Sequence, residues 1–247
     1  MSGYNSLAAF YDLLTGDISY QSRADYFERL IKRFNPDAKL LLDLACGTGS
    51  LSVELAKKGY DVIAVDGSCE MLTELLKKKI ELGLDILPLC QDMPELDLYG
   101  TIEAAVCALD SLNHITDEKL VKKTIERVAL FTEPGGVFVF DVNTQYKHRE
   151  VLGNNVFVYD YDEVYCVWQN SLDETTDTVT MELDIFENAD GVYYRSSESI
   201  AERAYSDEFW RETLTECGFG EIHCFHEDSF DPPKADSQRV VYAAVKK

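Results

Sequence analysis

Three aspartates and two histidines stand where a ligand could be held or a proton moved. Asp43 closes the apolar run Leu40-Leu41-Leu42 and is followed by Ala45, Gly47 and Gly49 at alternate positions. Glycine turns let a backbone approach a ligand closely. An acid within such a turn suits a cationic group such as an ammonium and is out of place beside a pyrophosphate. Asp66 ends a second apolar run, 17 residues beyond Gly49. An acid at that strand tip can hold both hydroxyls of a ribose. Asp110 and His114 follow a fourth apolar run, and His148 comes later. Each could act as a base toward an O–H or N–H that must lose its proton.

Such residues need strands that end together and helices that begin beside them. Residues 40–44 read as a strand buried on both faces, a short apolar run bounded by turn signals. Helical spacing over 51–58 then aims unpaired N–H groups and the positive end of a dipole into the turn. The dinucleotide fingerprint G-x-G-x-x-G fails here, because Ser52 occupies its third glycine position. Further strands are expected at 61–66, 84–89, 102–109 and 137–143. Helices are expected at 22–34 with Ser22 as N-cap, from Ser68 to about 82, and from 117 to about 131. Five β/α units within residues 39–143 dictate a parallel, doubly wound sheet with right-handed crossovers.

Beyond Asn143 the period changes to two. Val179, Met181, Leu183 and Ile185 alternate with Thr180, Glu182 and Asp184, the pattern of a half-buried antiparallel strand. Runs at 163–169 and 192–199 flank it, the second entered through an Asn188-Ala189-Asp190-Gly191 turn. An antiparallel insertion over 150–202 follows from this, splitting a main domain made of 1–149 and 203–247. A helix at 206–217 stopped by Gly218 and strands at 221–226 and 239–245 complete the main sheet.

The acid followed by Ala45, Gly47 and Gly49 resembles the first motif of the class I S-adenosylmethionine-dependent methyltransferases. Asp66, the loop Cys90-Gln91-Asp92-Met93-Pro94, the segment Asp110-Ser111-Leu112-Asn113-His114 and the Pro134-Gly135-Gly136 turn extend the resemblance. It implies an α/β, mostly parallel, seven-stranded Rossmann-like sheet with an inserted antiparallel sheet, and S-adenosyl-L-methionine as cofactor. It also implies that Asp92 and Met93 meet the adenine, that Met71 packs on it, and that the early Tyr11 and Tyr20 cover the ligand. The full set of cofactor contacts implied is Tyr11, Tyr20, Asp43, Ala45, Cys46, Gly47, Gly49, Asp66, Gly67, Met71, Gln91, Asp92, Met93 and Leu109. His114 and Asp110 are the candidate catalytic residues. No metal site is expected.

Composition narrows the acceptor. The chain has 247 residues with 23 Lys plus Arg against 45 Asp plus Glu, a net charge of −22. Residues 156–200 hold 11 acids and only Arg195 as a base. Such a surface repels nucleic acid, whose binding rests on Lys and Arg at phosphates, and favours a small neutral or cationic acceptor. An RNA or protein methyltransferase would need a basic patch, for which Lys77-Lys78-Lys79 and Lys122-Lys123 are the candidates. A non-catalytic module that binds the nucleoside is a further alternative, and a nicotinamide oxidoreductase fits poorly with Ser52 and Asp43. The seven scattered cysteines lack a C-x-x-C pair and are expected to be free in a reducing compartment. Residues 1–5 show no basic and apolar leader and no apolar run spans a bilayer, so a cytoplasmic location is expected. Oligomeric state is left open.

Overall fold

The structure is a computed structural model that describes residues 19–247; Tyr11 lies outside them. Helix α1 (Tyr20–Phe34) begins two residues before the expected start. Ser19, not Ser22, is its cap, with the Ser22 N–H donating to the Ser19 hydroxyl at 3.3 Å. Strand β1 (Leu40–Leu44) then leads into α2 (Ser50–Lys57), β2 (Asp61–Asp66), α3 (Cys69–Leu82) and β3 (Ile86–Cys90). Strand β4 (Ile102–Cys107), α4 (Glu118–Phe131) and β5 (Thr132–Asn143) complete the parallel part. The chain closes with α5 (Asp207–Glu216), β10 (Phe219–His226) and β11 (Arg239–Lys246).

These strands form one seven-stranded sheet ordered β10-β11-β5-β4-β1-β2-β3. Pairing is parallel from β3 to β5 and antiparallel at β11 and β10. The chain winds outward in both directions from β1 and β4, so a crevice opens at the carboxyl ends of that pair. The pleat sends alternate side chains to opposite layers. Leu41 joins Phe27 and Leu30 of α1 and Leu75 of α3, whereas Leu42 and Leu44 join Ile125 of α4 and Trp210 of α5. That two-sided burial is why β1 reads as an unbroken apolar run.

The inserted sheet has four strands: β6 (Val156–Asp160), β7 (Val164–Asp173), β8 (Thr178–Ala189) and β9 (Val192–Arg203). Its apolar face carries Val164, Cys166, Val179, Met181, Leu183, Ile185 and Ile200. Edge strand β6 is an addition to the three strands expected. It has no fully buried residue, so its sequence lacks the alternation that betrays a half-buried strand. A single-turn π-helix, Lys147–Leu152, joins the two sheets. Asn113 ties them again, its amide donating to the carbonyls of Asn143 at 3.2 Å and Arg203 at 2.9 Å.

The expectation of seven free cysteines is corrected at one pair. Cys69 and Cys90 form a disulfide, with Cα atoms 5.8 Å apart. The reason lies in register: Asp66 pairs with Cys90 across β2 and β3, which brings the end of β3 beside the first residue of α3. No helix among the described residues is long and apolar enough to cross a membrane.

Candidate functional site

A cleft opens at the carboxyl ends of β1, β2 and β4, lined by Ala45, Gly47, Asp66, Gly67, Ser68, Met71, Met93, Leu109, Ser111 and His114. Its floor is the turn after β1, where Ala45, Gly47 and Gly49 all take positive φ. A Cβ on Gly49 would run into the Leu75 side chain of α3, so only glycine lets the helix seat on the turn. The Asp66 carboxylate binds both neighbouring turns: Oδ2 accepts the Gly47 N–H and Oδ1 the Ser68 N–H, each at 2.8 Å. Burial pushes its pKa up against those two hydrogen bonds. Gly67 lets Asp92 come close: a Cβ there would stand 2.6 Å from Asp92 Oδ1 and push that carboxylate aside.

Asp43 does not reach the cleft. It is 2% exposed, and its Oδ2 accepts the Ser52 hydroxyl at 2.5 Å. Burial raises its pKa to about 7, with the nearby Asp66 adding to the rise and the Ser52 hydrogen bond opposing it. Ser52, the residue that breaks the dinucleotide pattern, is therefore the partner that holds the motif acid under α2. Tyr20, Cys46, Gln91 and Asp92 also stand outside the lining. The Gln91 side chain is spent on the backbone of Asp97, at 3.1 and 2.8 Å.

On the far wall, Leu109 and Asp110 follow β4 with successive positive φ values of 57° and 53°. Left-handed backbone at non-glycine residues costs about 1–2 kcal/mol each, and a polar cluster offsets it. The Asp110 N–H donates to Asp141 Oδ1 at 2.8 Å, and Arg239 lies 3.1 Å from Asp110 Oδ1 and 3.2 Å from Asp141 Oδ1. Arg23 grips the other Asp141 oxygen at 2.8 Å and Glu227 at 2.9 Å. Burial opposes ionisation of Asp110, yet Arg239, Lys147 and His114 hold its carboxyl well below the usual carboxylate range. A carboxylate so stabilised and partnered is a weak base.

His114 does line the cleft, with its Nε2 3.5 Å from Glu202 Oε1. Oε2 of the same carboxylate lies 3.6 Å from His148 Nε2 and accepts the Asn143 amide at 3.0 Å. His148 is fully buried, its Nδ1 2.9 Å from the Asp177 carbonyl oxygen, so it stands behind the cleft. Sequence reasoning missed Ser68 and Ser111 in the lining and Glu202 behind it. One signal did exist for Glu202: its β-register puts it on the face of β9 that carries Ile200, where an acid breaks the alternation.

Residues 41–136 match the methyltransferase domain family. The chain is 32% identical over 245 residues to YqeM of Bacillus subtilis (strain 168), which is named as a methyltransferase; the match covers 98% of this chain and 97% of that one. A crystal structure of a S-adenosylmethionine-dependent methyltransferase from Clostridium acetobutylicum ATCC 824 superposes with a TM-score of 0.89 at 34% identity, covering 98% of both chains. This chain belongs to the class I S-adenosylmethionine-dependent methyltransferases. It is also 33% identical to the glycine/sarcosine N-methyltransferase of Halorhodospira halochloris, over 53% of this chain and 48% of that protein.

A methyltransferase of this class uses S-adenosylmethionine, and the cleft suits that cofactor. Its wall offers one carboxylate and two methionines and, among the described residues, no Lys or Arg. A pyrophosphate would ask for the reverse.

Proposed function

We propose that this methyltransferase acts on a small neutral or cationic acceptor, with an amine as the group that best fits its charge. The observation that carries this reading is His114 at a cleft whose lining, among the described residues, holds no Lys or Arg, with its Nε2 3.5 Å from the buried carboxylate of Glu202. An amine that arrives as an ammonium is attracted there and must shed a proton before it can react. The relative that N-methylates glycine and sarcosine agrees with a small amine, and the acidic surface of residues 156–200 supports it further.

In this reading Asp66 holds the ribose diol with the lone pairs left over from its two backbone hydrogen bonds. Met71 and Met93 pack on the adenine, and the Met93 N–H meets its edge together with Asp92, which stands behind the lining beside Gly67 and must turn toward the ligand to do so. Ala45, Gly47, Gly67 and Leu109 bound the ligand, Asp43, Cys46, Gly49 and Gln91 shape the turns that do so, and Tyr20 with Tyr11 covers it. When bound, S-adenosylmethionine supplies an electrophilic methyl group. The protein contributes alignment and exclusion of water, and His114 accepts the acceptor's proton. The inserted sheet, attached at residues 150–202 to a main domain of 1–149 and 203–247, serves as the lid over the acceptor.

RNA and protein substrates are disfavoured because the candidate basic runs are occupied. Lys77 pairs with Glu74 at 2.6 Å, Lys122 with Glu216 at 2.8 Å, and Lys123 with Glu95. Incubation with methyl-labelled S-adenosylmethionine and a panel of small amines, with RNA and a cell protein extract in parallel, tests the reading. Label is expected in the small-molecule fraction. Label found only in RNA or protein would overturn it.

A further inference from the structure

The run Lys77-Lys78-Lys79 looks on paper like a solvated cationic face, but only Lys77 is exposed. Lys77 reaches Glu74 on the same helix, and Lys79 donates to the Ile86 carbonyl at 2.6 Å. Lys78 does something different. Its ammonium crosses from α3 to the turn after β1, donating to the Thr48 carbonyl at 3.1 Å, the Thr48 hydroxyl at 3.0 Å and the Ser50 hydroxyl at 2.7 Å. Leu75, three residues earlier and so on the same helix face, is the side chain that fills the space a Cβ on Gly49 would need. Helix α3 therefore grips the glycine turn twice, by an apolar contact at Gly49 and by three hydrogen bonds on either side of it.

We infer that Lys78 is a positioning residue for cofactor binding, acting through the shape of the 45–50 turn; this rests on the cofactor seat proposed above. The turn holds three positive-φ residues within five positions and so has much freedom to lose. The Thr48 side of it is buried, at 2% exposure, so its carbonyl needs a donor. A compact ammonium with three donors suits three oxygens converging on one point. The same turn supplies the Gly47 N–H to Asp66, so an unclamped turn would also loosen the acid at the cleft wall. A turn ordered before the ligand arrives spares binding the cost of ordering it.

Calorimetric titration with S-adenosylhomocysteine tests this on the full chain, alongside the melting temperature of the ligand-free proteins. Lys78→Met is expected to weaken binding about tenfold, while Lys78→Arg, whose planar fork cannot bring its donors to all three oxygens, recovers only part of that loss. Lys77→Met, one residue away on the exposed face, is expected to bind as the wild type does. If Lys78→Met does not fold, Ser50→Ala removes the shortest of the three contacts and is expected to weaken binding about threefold. Equal affinity in Lys78→Met or Ser50→Ala and the wild type would overturn the clamp, as would an equal loss in Lys77→Met. A wild type that takes up no S-adenosylhomocysteine would overturn the cofactor seat itself.

Discussion

Glu202, on the last strand of the inserted sheet, holds its carboxylate 3.5 Å from Nε2 of His114 at the cleft of the main sheet. The two parts of the chain thus share one buried acid, which is 5% exposed and also takes a hydrogen bond from Asn143. Glu202→Ala leaves that amide and two imidazoles facing a gap. A loss of about 1–3 kcal/mol is expected from stranding buried polar groups, measurable as a shift in the urea midpoint at constant slope. Glu202→Gln keeps an acceptor oxygen and is expected to lose less.

Arg239 is the hub of the polar cluster behind Asp110. It lies within 3.1–3.3 Å of Asp110, Asp141 and Glu227. Arg239→Met takes a shared partner from Asp110 and Asp141, but Lys147 still faces the first and Arg23 the second, so the loss is expected to fall below the roughly 3–5 kcal/mol of a fully broken buried pair. The pH signature is separate. The folded pKa of Asp110 is depressed, so its contribution is present above the carboxylate's unfolded value and is lost as pH falls below it. Denaturation across that range should show the acid-side loss in the wild type and a reduced one in Arg239→Met.

Asp43 predicts the opposite slope. The folded protein holds its proton up to about pH 7, whereas the unfolded chain releases it near 3.8. The folded state therefore binds more protons between those values, and stability falls as pH rises through that window. Asp43→Asn, whose side-chain oxygen can still accept from Ser52, should flatten that part of the stability curve. A curve unchanged by the substitution would contradict the burial argument.

The disulfide is countable. Five cysteines are free and two are paired, so alkylation of the unfolded, unreduced protein should label five thiols. Reduction beforehand should raise the number to seven. Both Cys69 and Cys90 are solvent-exposed, so a mild reductant should suffice without unfolding.

Much of this fold was legible from one dimension because β1, β2, β4 and β5 are buried on both faces and read as apolar runs. Asp66, Met71 and His114 were legible too, since a strand tip beside a glycine turn fixes where a side chain ends up. What failed to read depends on register between distant segments or on where a strand ends. The Cys69–Cys90 pair needs the β2–β3 alignment, and Glu202 lies past the expected end of its strand at 199, which in fact runs to Arg203. Asp43 illustrates a subtler limit: its sequence position points to the turn, but only the packing of α2 directs the carboxylate down to Ser52. Lys78 was hidden among identical neighbours, because a run of three lysines does not say which one faces a loop.

We propose that the turn after β1 and Asp66 together seat S-adenosylmethionine. Calorimetry with S-adenosylhomocysteine on the wild type and on Asp66→Ala tests it most directly. Saturable one-site binding by the wild type is predicted, weakened in Asp66→Ala by about 1–3 kcal/mol, the scale of hydrogen bonds lost in a partly buried site. Equal affinity in the two proteins would contradict it.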